Sequence, residues 1–143
     1  MFFSGSTKLT MDDKGRLAIP ARLRNQLGEE YGKQIAITLG PACIEIYPVA
    51  EFRRIAENIL KDTDYARRMR VQRNFVGNAV ESEPDAQGRV LVPNMLRELK
   101  QLGNEVVLVG LNNHFELWPE AQWSTVTNAG LATYADDYAA IAP

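Results

Sequence analysis

Cysteine and histidine are almost missing from this chain: Cys43 and His114 are the single examples among 143 residues. A lone cysteine cannot close an intrachain disulfide, so a reducing cytoplasm is the expected compartment. One cysteine and one histidine also exclude an ordinary structural zinc site built from one chain. No apolar run approaches the ~20 residues that a membrane-spanning helix requires. The start, MFFSGSTKLT, lacks the basic opening and long apolar stretch of a secretory leader. There is no Walker loop and no dinucleotide fingerprint. No cofactor, bound metal, small-molecule ligand or catalytic residue is expected.

Basic residues are missing from one end only. From His114 onward there is no Lys or Arg, while Glu116, Glu120, Asp136 and Asp137 are present. Residues 1–28 carry five cations (Lys8, Lys14, Arg16, Arg22, Arg24) against Asp12 and Asp13. Residues 61–76 repeat that ratio, with Lys61, Arg67, Arg68, Arg70 and Arg73 against Asp62 and Asp64. The net charge of −2 therefore hides a basic front and an acidic end. With 45% hydrophobic and 24% charged residues, the chain has the composition of a globular protein. Its length suits one compact domain, or two small halves sharing a core.

What is present is a repeat. DDKGRLAIPARLR at 12–24 returns as DAQGRVLVPNMLR at 85–97, 73 positions later, with Asp, Gly, Arg, Pro, Leu and Arg in register. After a shorter connection, AITLG (36–40) is answered by VLVG (107–110) and IEIYP (44–48) by FELWP (115–119). STKLTM alternates as a half-buried strand, DDKG makes a tight turn, and RLAIP resumes alternation with Leu17 and Ile19 on one face. Asp accepts hydrogen bonds from the N–H groups ahead of it, and Gly tolerates a positive φ. Pro20 opens a short helix, ARLRNQL. QIAITL and CIEIY are β-branched runs that complete the unit. Between the copies, VAEFRRIAENILK carries an apolar helical stripe. A second helix follows through YARRMRVQRNFV, capped by Asp62 or Asp64, with Tyr65, Met69 and Val76 on its core side. A last helix starts near Glu120, and DDYAAIAP is expected to be a mobile tail.

Each turn places an acid four residues before an arginine. The planar guanidinium fits a carboxylate, and equally a phosphate oxygen pair or the O6/N7 edge of guanine. A purely structural ion pair is one reading. The other is that Asp12 and Asp85 position Arg16 and Arg89 for DNA, with Lys14 at the turn apex and Arg22 and Arg24 on the following helix adding phosphate contacts.

Together the Met-Phe start, the two D-x-x-G-R turns at this spacing and the FELWP strand resemble the MraZ family of bacterial transcription regulators. The resemblance extends from the N-terminus to about Trp123. It implies an α+β fold of two tandem AbrB-like swapped-hairpin units forming a pseudo-two-fold β-barrel, with connecting and C-terminal helices. The corresponding division is a first unit at 1–50, a helical connection at 51–76, a second unit at 77–122 and a C-terminal helix and tail at 123–143. It also implies binding of double-stranded promoter DNA at direct repeats by a homo-oligomer, typically a ring, that is cytoplasmic and nucleoid-associated. The targets would be its own operon and neighbouring cell-division and cell-wall genes, with repression the expected outcome. Residues carried into the DNA-binding set are Lys8, Asp12, Lys14, Arg16, Arg22, Arg24, Asp85, Arg89 and Arg97.

The two copies are unequal. Lys8, Thr10 and Lys14 correspond to Glu81, Glu83 and Gln87, and Leu9 and Met11 to Ser82 and Pro84. The first turn is thus expected to grip phosphate more strongly, and the second copy's opening strand to be shorter. Two rival functions remain at this point: an antitoxin-like module that binds a protein partner, and an aspartic-type hydrolase using Asp12 and Asp85. The second lacks the D-T/S-G signature. His114 reads as a hairpin residue, Cys43 as a small buried hydrophobe, and Trp118 and Trp123 as core or interface anchors. Arg67, Arg70 and Arg73 read as a solvated face or a contact to DNA or a neighbouring subunit.

Overall fold

Alternating apolar residues become strands and the longer-period stripes become helices in a computed structural model that describes residues 3–142. Met1 and Phe2, which contribute to the resemblance above, and Pro143 at the end of the tail lie outside the described residues. The first copy runs β1 (Phe3–Thr10), β2 (Arg16–Ala18), α1 (Ala21–Tyr31), β3 (Ile35–Leu39) and β4 (Ile44–Pro48). Helices α2 (Val49–Ile59) and α3 (Tyr65–Phe75) follow. The second copy runs β5 (Val80–Ser82), β6 (Arg89–Leu91), α4 (Asn94–Leu99), β7 (Glu105–Asn112) and β8 (His114–Pro119). Helices α5 (Glu120–Leu131) and α6 (Tyr134–Ile141) end the described chain. The result is a mixed α+β fold around an antiparallel sheet.

Pro20, Pro48, Pro93 and Pro119 start α1, α2, α4 and α5 by one device. Each is the N-cap, with φ between −52° and −59° and ψ between 136° and 139°, and the helix begins at the next residue. Pro20 thus stands just outside the helix rather than in its first turn. Its fixed φ and extended ψ turn the strand out of the sheet without consuming a helical position. Asp64, not Asp62, caps α3 by accepting from the Arg67 N–H at 3.1 Å, while Asp62 takes the Arg67 side chain.

The strand order of the six-stranded sheet is β1-β7-β8-β4-β3-β5, with β2 and β6 paired in a separate ribbon. Exchanging each strand for its counterpart in the other copy turns this order into its own reverse. The register obeys the same exchange. Leu17 faces Val90 at the centre of β2–β6, and Glu45 faces Glu116 at the centre of β4–β8. Thr7, Lys8 and Leu9 face Leu108, Val107 and Val106, as Val80, Glu81 and Ser82 face Ile37, Ala36 and Ile35. This register makes Ala36 and Val107 equivalent, so Leu39, rather than Gly40, corresponds to Gly110. The two glycines that matched in the sequence serve different ends: Gly110 lies against the Ser4 backbone, and Gly40 against the Glu45 side chain.

Strand β5 has three residues where β1 has eight, as the sequence suggested. The Met11 N–H donates to the Asn104 carbonyl at 2.7 Å, and its counterpart Pro84 has no N–H to give. One core, including Phe3, Leu17, Leu23, Ile46, Val90, Leu96 and Leu117, draws on both copies. Such burial of aliphatic side chains contributes about 1.5–3 kcal/mol each.

Helix α3 departs from its expected face. Tyr65 is 65% exposed and Val76 39%, whereas Phe75 is buried. Only the C-terminal end of α3 reaches the body, where Phe75 stacks on Phe52 at 5.1 Å and meets Tyr47 edge-on at 5.8 Å. Periodicity identifies an apolar stripe but not whether another element covers it. The expected mobile tail is likewise helical from Tyr134 to Ile141.

Candidate nucleic-acid interface

The two Asp–Arg turns fold identically because the same local bonds close them. In the first, Asp12 Oδ1 accepts from the backbone N–H of Lys14 at 3.0 Å and of Arg16 at 2.8 Å. Asp12 Oδ2 accepts from Arg16 Nε at 2.6 Å. In the second, Asp85 Oδ1 accepts from the N–H of Gln87 and Arg89, both at 2.9 Å, and Oδ2 from Arg89 Nε at 3.1 Å. Gly15 and Gly88 occupy the positive-φ corner at +85° and +76°. Each carboxylate grips the guanidinium only at Nε, leaving the two terminal nitrogens as donors for another anion or base edge.

The ribbon of β2 and β6 then aligns both arginines. Arg16 faces Leu91 and Ala18 faces Arg89, so these four residues share one face and the buried Leu17 and Val90 the other. Arg16 and Arg89 are diagonal neighbours across the ribbon, about 7–8 Å apart at the backbone. Their side chains are 37% and 33% exposed. Ala18 adds no bulk between them.

Arg24, expected as a phosphate contact, and Arg97, carried into the DNA-binding set, are first engaged within the protein. Arg97 Nε donates to the Val92 carbonyl at 3.1 Å and Nη2 to the Lys14 carbonyl at 3.4 Å, and its side chain covers Gly15. Arg24 Nη1 donates to the Ile19 carbonyl at 3.2 Å and covers Gly88. Each arginine is thus anchored in its own copy and lies over the turn of the other, and Arg97 also donates across to it. The backbone does the same: the Ile19 N–H donates to the Gly88 carbonyl and the Val92 N–H to the Gly15 carbonyl, at 3.0 and 2.9 Å. The sequence carried the equivalence of Arg24 and Arg97 but not the crossing, which only the strand pairing creates.

The remaining candidates lie apart. Lys14 stays exposed at the first apex. Lys8 pairs with Glu120 at the start of α5 at 3.3 Å, and Arg22 donates to the Ser4 carbonyl at 3.4 Å. Neither is drawn to the turns. Thus Asp12, Lys14, Arg16, Asp85, Arg89, Arg24 and Arg97 form one constellation.

The N–H groups also set the acidity of the aspartates. The Arg16 backbone N–H foremost, then its guanidinium, hold Asp12 below the ordinary aspartate range, against a partial burial effect. The Arg89 N–H does the same for Asp85, followed by the Gln87 N–H and the Arg89 guanidinium. Both carboxyls are thus kept ionised, each by its own arginine, which is the reverse of a proton-sharing aspartic dyad. A carboxyl with a lowered folded-state pKa stabilises the fold above its unfolded value and loses that contribution as pH falls through the lowered one. The Arg16 and Arg89 amide resonances are therefore expected to hold steady through neutral pH and to shift only below the range of an ordinary aspartate. A midpoint at or above that of aspartate in an unstructured peptide would contradict these bonds.

A second titratable cluster lies on the central strands, away from the turns. Cys43, Glu45 and Glu116 bring their donor atoms within 4.8 Å of one another, the one such grouping among the described residues. The two carboxylates are engaged, Tyr47 Oη donating to Glu45 at 3.0 Å and Trp118 Nε1 to Glu116 at 2.9 Å, and the buried Cys43 thiol lies beside them. Burial pushes the Glu45 carboxyl and the Cys43 thiol up, favouring their protonated forms. The cluster could offer a divalent ion one sulfur and two oxygens only after losing those protons. His114, in the β7–β8 hairpin, stacks on Tyr47 with ring centres 4.8 Å apart.

Comparison with known proteins agrees with this architecture. The family described as "MraZ protein, putative antitoxin-like" matches residues 2–73 and 75–133. The chain is 38% identical over 123 residues to the "Transcriptional regulator MraZ" of Methylococcus capsulatus, covering 85% of this chain and 81% of that one. It is 42% identical over 123 residues to the protein of that name from Thioalkalivibrio sulfidiphilus, covering 85% and 82%. With that of Pseudomonas syringae pv. tomato it shares 40% identity over 134 residues, covering 91% and 88%.

Proposed function

The chain belongs to the MraZ family, and from that premise we propose that it is a transcription regulator, not an enzyme, that reads promoter DNA through its paired Asp–Arg turns. The observation that carries the reading is the β2–β6 ribbon with Arg16 and Arg89 on its outer face. A two-stranded ribbon fits the major groove of B-DNA, and arginine is the commonest reader of guanine there. Asp12 and Asp85 hold the guanidinium planes, Lys14 adds a phosphate contact, and Arg24 and Arg97 keep the two turns in fixed relation. The interleaved strand order supports reading the body as two AbrB-like swapped-hairpin units closed into one barrel.

One pair of arginines per chain gives weak, salt-sensitive binding. Several chains assembled as a ring over direct repeats gain effective concentration without new contacts. The protein then represses its own operon and adjoining cell-division and cell-wall genes. No helix among the described residues is long and apolar enough to cross a membrane, and the site of action is the nucleoid.

Footprinting on the DNA upstream of the protein's own gene tests this directly. Protection of short direct repeats, weakening steeply between low and moderate salt, is the expected result. An alternative reading as an antitoxin-like partner binder draws on the acidic, exposed α5 and α6. No protection at low salt, with a stable complex with another protein instead, would favour it.

A further inference from the structure

Helices α5 and α6 are unusual in this fold because neither contains a buried residue. An eight-residue helix is far too short to be stable in water by itself, so α6 needs something to pack against. Its sequence supplies the means. Tyr134, Tyr138 and Ile141 recur at spacings of four and three on one face of α6, and Leu131, at the end of α5, borders the same surface across the intervening turn. The four are 55%, 54%, 84% and 67% exposed, in that order. Asp136 and Asp137 lie beside this stripe, and no Lys or Arg follows residue 113.

A matching surface lies beside α3. Between α3 and the β3–β4 turn is an open groove of about 380 Å³, floored by Leu39, Pro41, Val71 and Phe75 and flanked by Arg70 and Lys100. Val71 is 42% exposed, an apolar side chain with room above it. Arg70 and Lys100, with Arg73 on the same helix, have no ion-pair partner among the described residues. The groove thus combines an apolar floor with a positive rim, its Lys100 close enough to Glu45 to favour that carboxylate, and α6 an apolar stripe with an acidic flank whose Asp137 accepts from the Thr133 hydroxyl at 2.9 Å. Within one chain the two are carried by different elements: α5 packs on β7 and β8, while α3 packs on α2 and β3.

We propose that the groove beside α3 receives the α6 stripe of a second copy of this chain, with Asp136 and Asp137 meeting Arg70 and Lys100. Groove and stripe are different surfaces, so the contact is heterologous: each protomer offers one and uses the other, and the chain of contacts closes only if the rotation permits. This deepens the oligomeric part of the proposed function and assigns the acidic C-terminal segment a role. It leaves the Asp–Arg turns uncovered.

Sedimentation velocity on the full chain tests the pairing through charge exchange. Arg70→Asp with Lys100→Asp is expected to weaken self-association at least about tenfold, as like charges then face each other. Asp136→Lys with Asp137→Lys does the same, and the four substitutions together restore it to within about threefold of the natural chain. Tyr138→Glu with Ile141→Glu, both on the exposed face, yields monomers with an unchanged circular dichroism spectrum. Natural chain that is monomeric at micromolar concentration would overturn the proposal. So would Tyr138→Glu/Ile141→Glu protein of unaltered mass, or charge exchange without rescue. A cysteine pair placed at Val71 and Tyr138 that crosslinks only within single chains would show the stripe folding onto its own groove instead, and would overturn it as well. Binding of a single operator repeat by the monomeric variants, lost on Arg16→Ala, separates a failure of this interface from a failure of the DNA-binding reading.

Discussion

An Arg16→Ala chain is expected to bind its operator about 10- to 100-fold more weakly per turn, the usual loss for an arginine that reads a base edge. In an assembly that engages several repeats at once the losses multiply, and specific protection should vanish at moderate salt. The fold should survive. The Asp12–Arg16 pair is more than a third exposed on both sides, and solvent screening leaves such exposed pairs little weight in stability. Arg16→Lys separates the two parts of the arginine's role: it keeps the charge but loses the planar fork, so discrimination between operator and random DNA should fall further than total binding. Arg89→Ala is expected to cost less. Gln87 stands where Lys14 does in the first turn, and Glu83 replaces Thr10 at the approach to the second. Lys8 no longer enters this ranking, because Glu120 holds it. Asp13, opposite Ala86 in the second copy, opposes the ranking but accepts from the Asn104 amide at 3.2 Å, which draws its charge aside. Titration of both single variants against one labelled repeat checks the order, and a larger loss at Arg89 would reverse it.

The turns are legible in the sequence because each of their residues answers a local demand. Asp12 and Asp85 collect the N–H groups that follow, Gly15 and Gly88 take the positive φ, and Pro20 and Pro93 launch a helix. None of this depends on distant residues, so a motif repeated 73 positions apart reports it directly. The pairing of β1 with β7 and of β3 with β5 is a long-range property that no window of sequence contains. The face of α3 escapes the sequence for a related reason. Tyr65 and Val76 satisfy the helical period as well as Phe75 does, but only Phe75 reaches Phe52 and Tyr47. Arg24 and Arg97 stand out as candidates from their place in the repeat, yet charge and spacing alone point them to DNA. Only the crossing of the copies shows that each one packs over the opposite turn.

That crossing makes Gly15→Ala the second substitution with a large expected effect. At φ +85° an L-residue pays about 1–2 kcal/mol for the left-handed conformation alone. The added methyl would also stand 2.5 Å from Arg97 Nε and 2.6 Å from its Cζ, so the brace must move and release the Val92 and Lys14 carbonyls. A total loss of about 2–4 kcal/mol is expected, seen as a lower denaturation midpoint. It should be accompanied by weakened DNA binding, since Arg16 follows the corner directly. Gly28→Ala is the internal control. Gly28 lies within α1, and a methyl added there meets nothing within 4 Å, so alanine should stabilise by about 0.5–1 kcal/mol and leave DNA binding intact. The double variant Gly15→Ala/Arg97→Ala then divides the cost. If the collision with Arg97 contributes, Gly15→Ala is milder in the Arg97→Ala background by about 0.5 kcal/mol or more, and if φ alone is responsible the two losses add. Because the brace comes from the second copy, a positive coupling would mean that the shape of the first turn is set by the second half of the chain. The two copies would then act as one reading head, and a change confined to either would be felt by both.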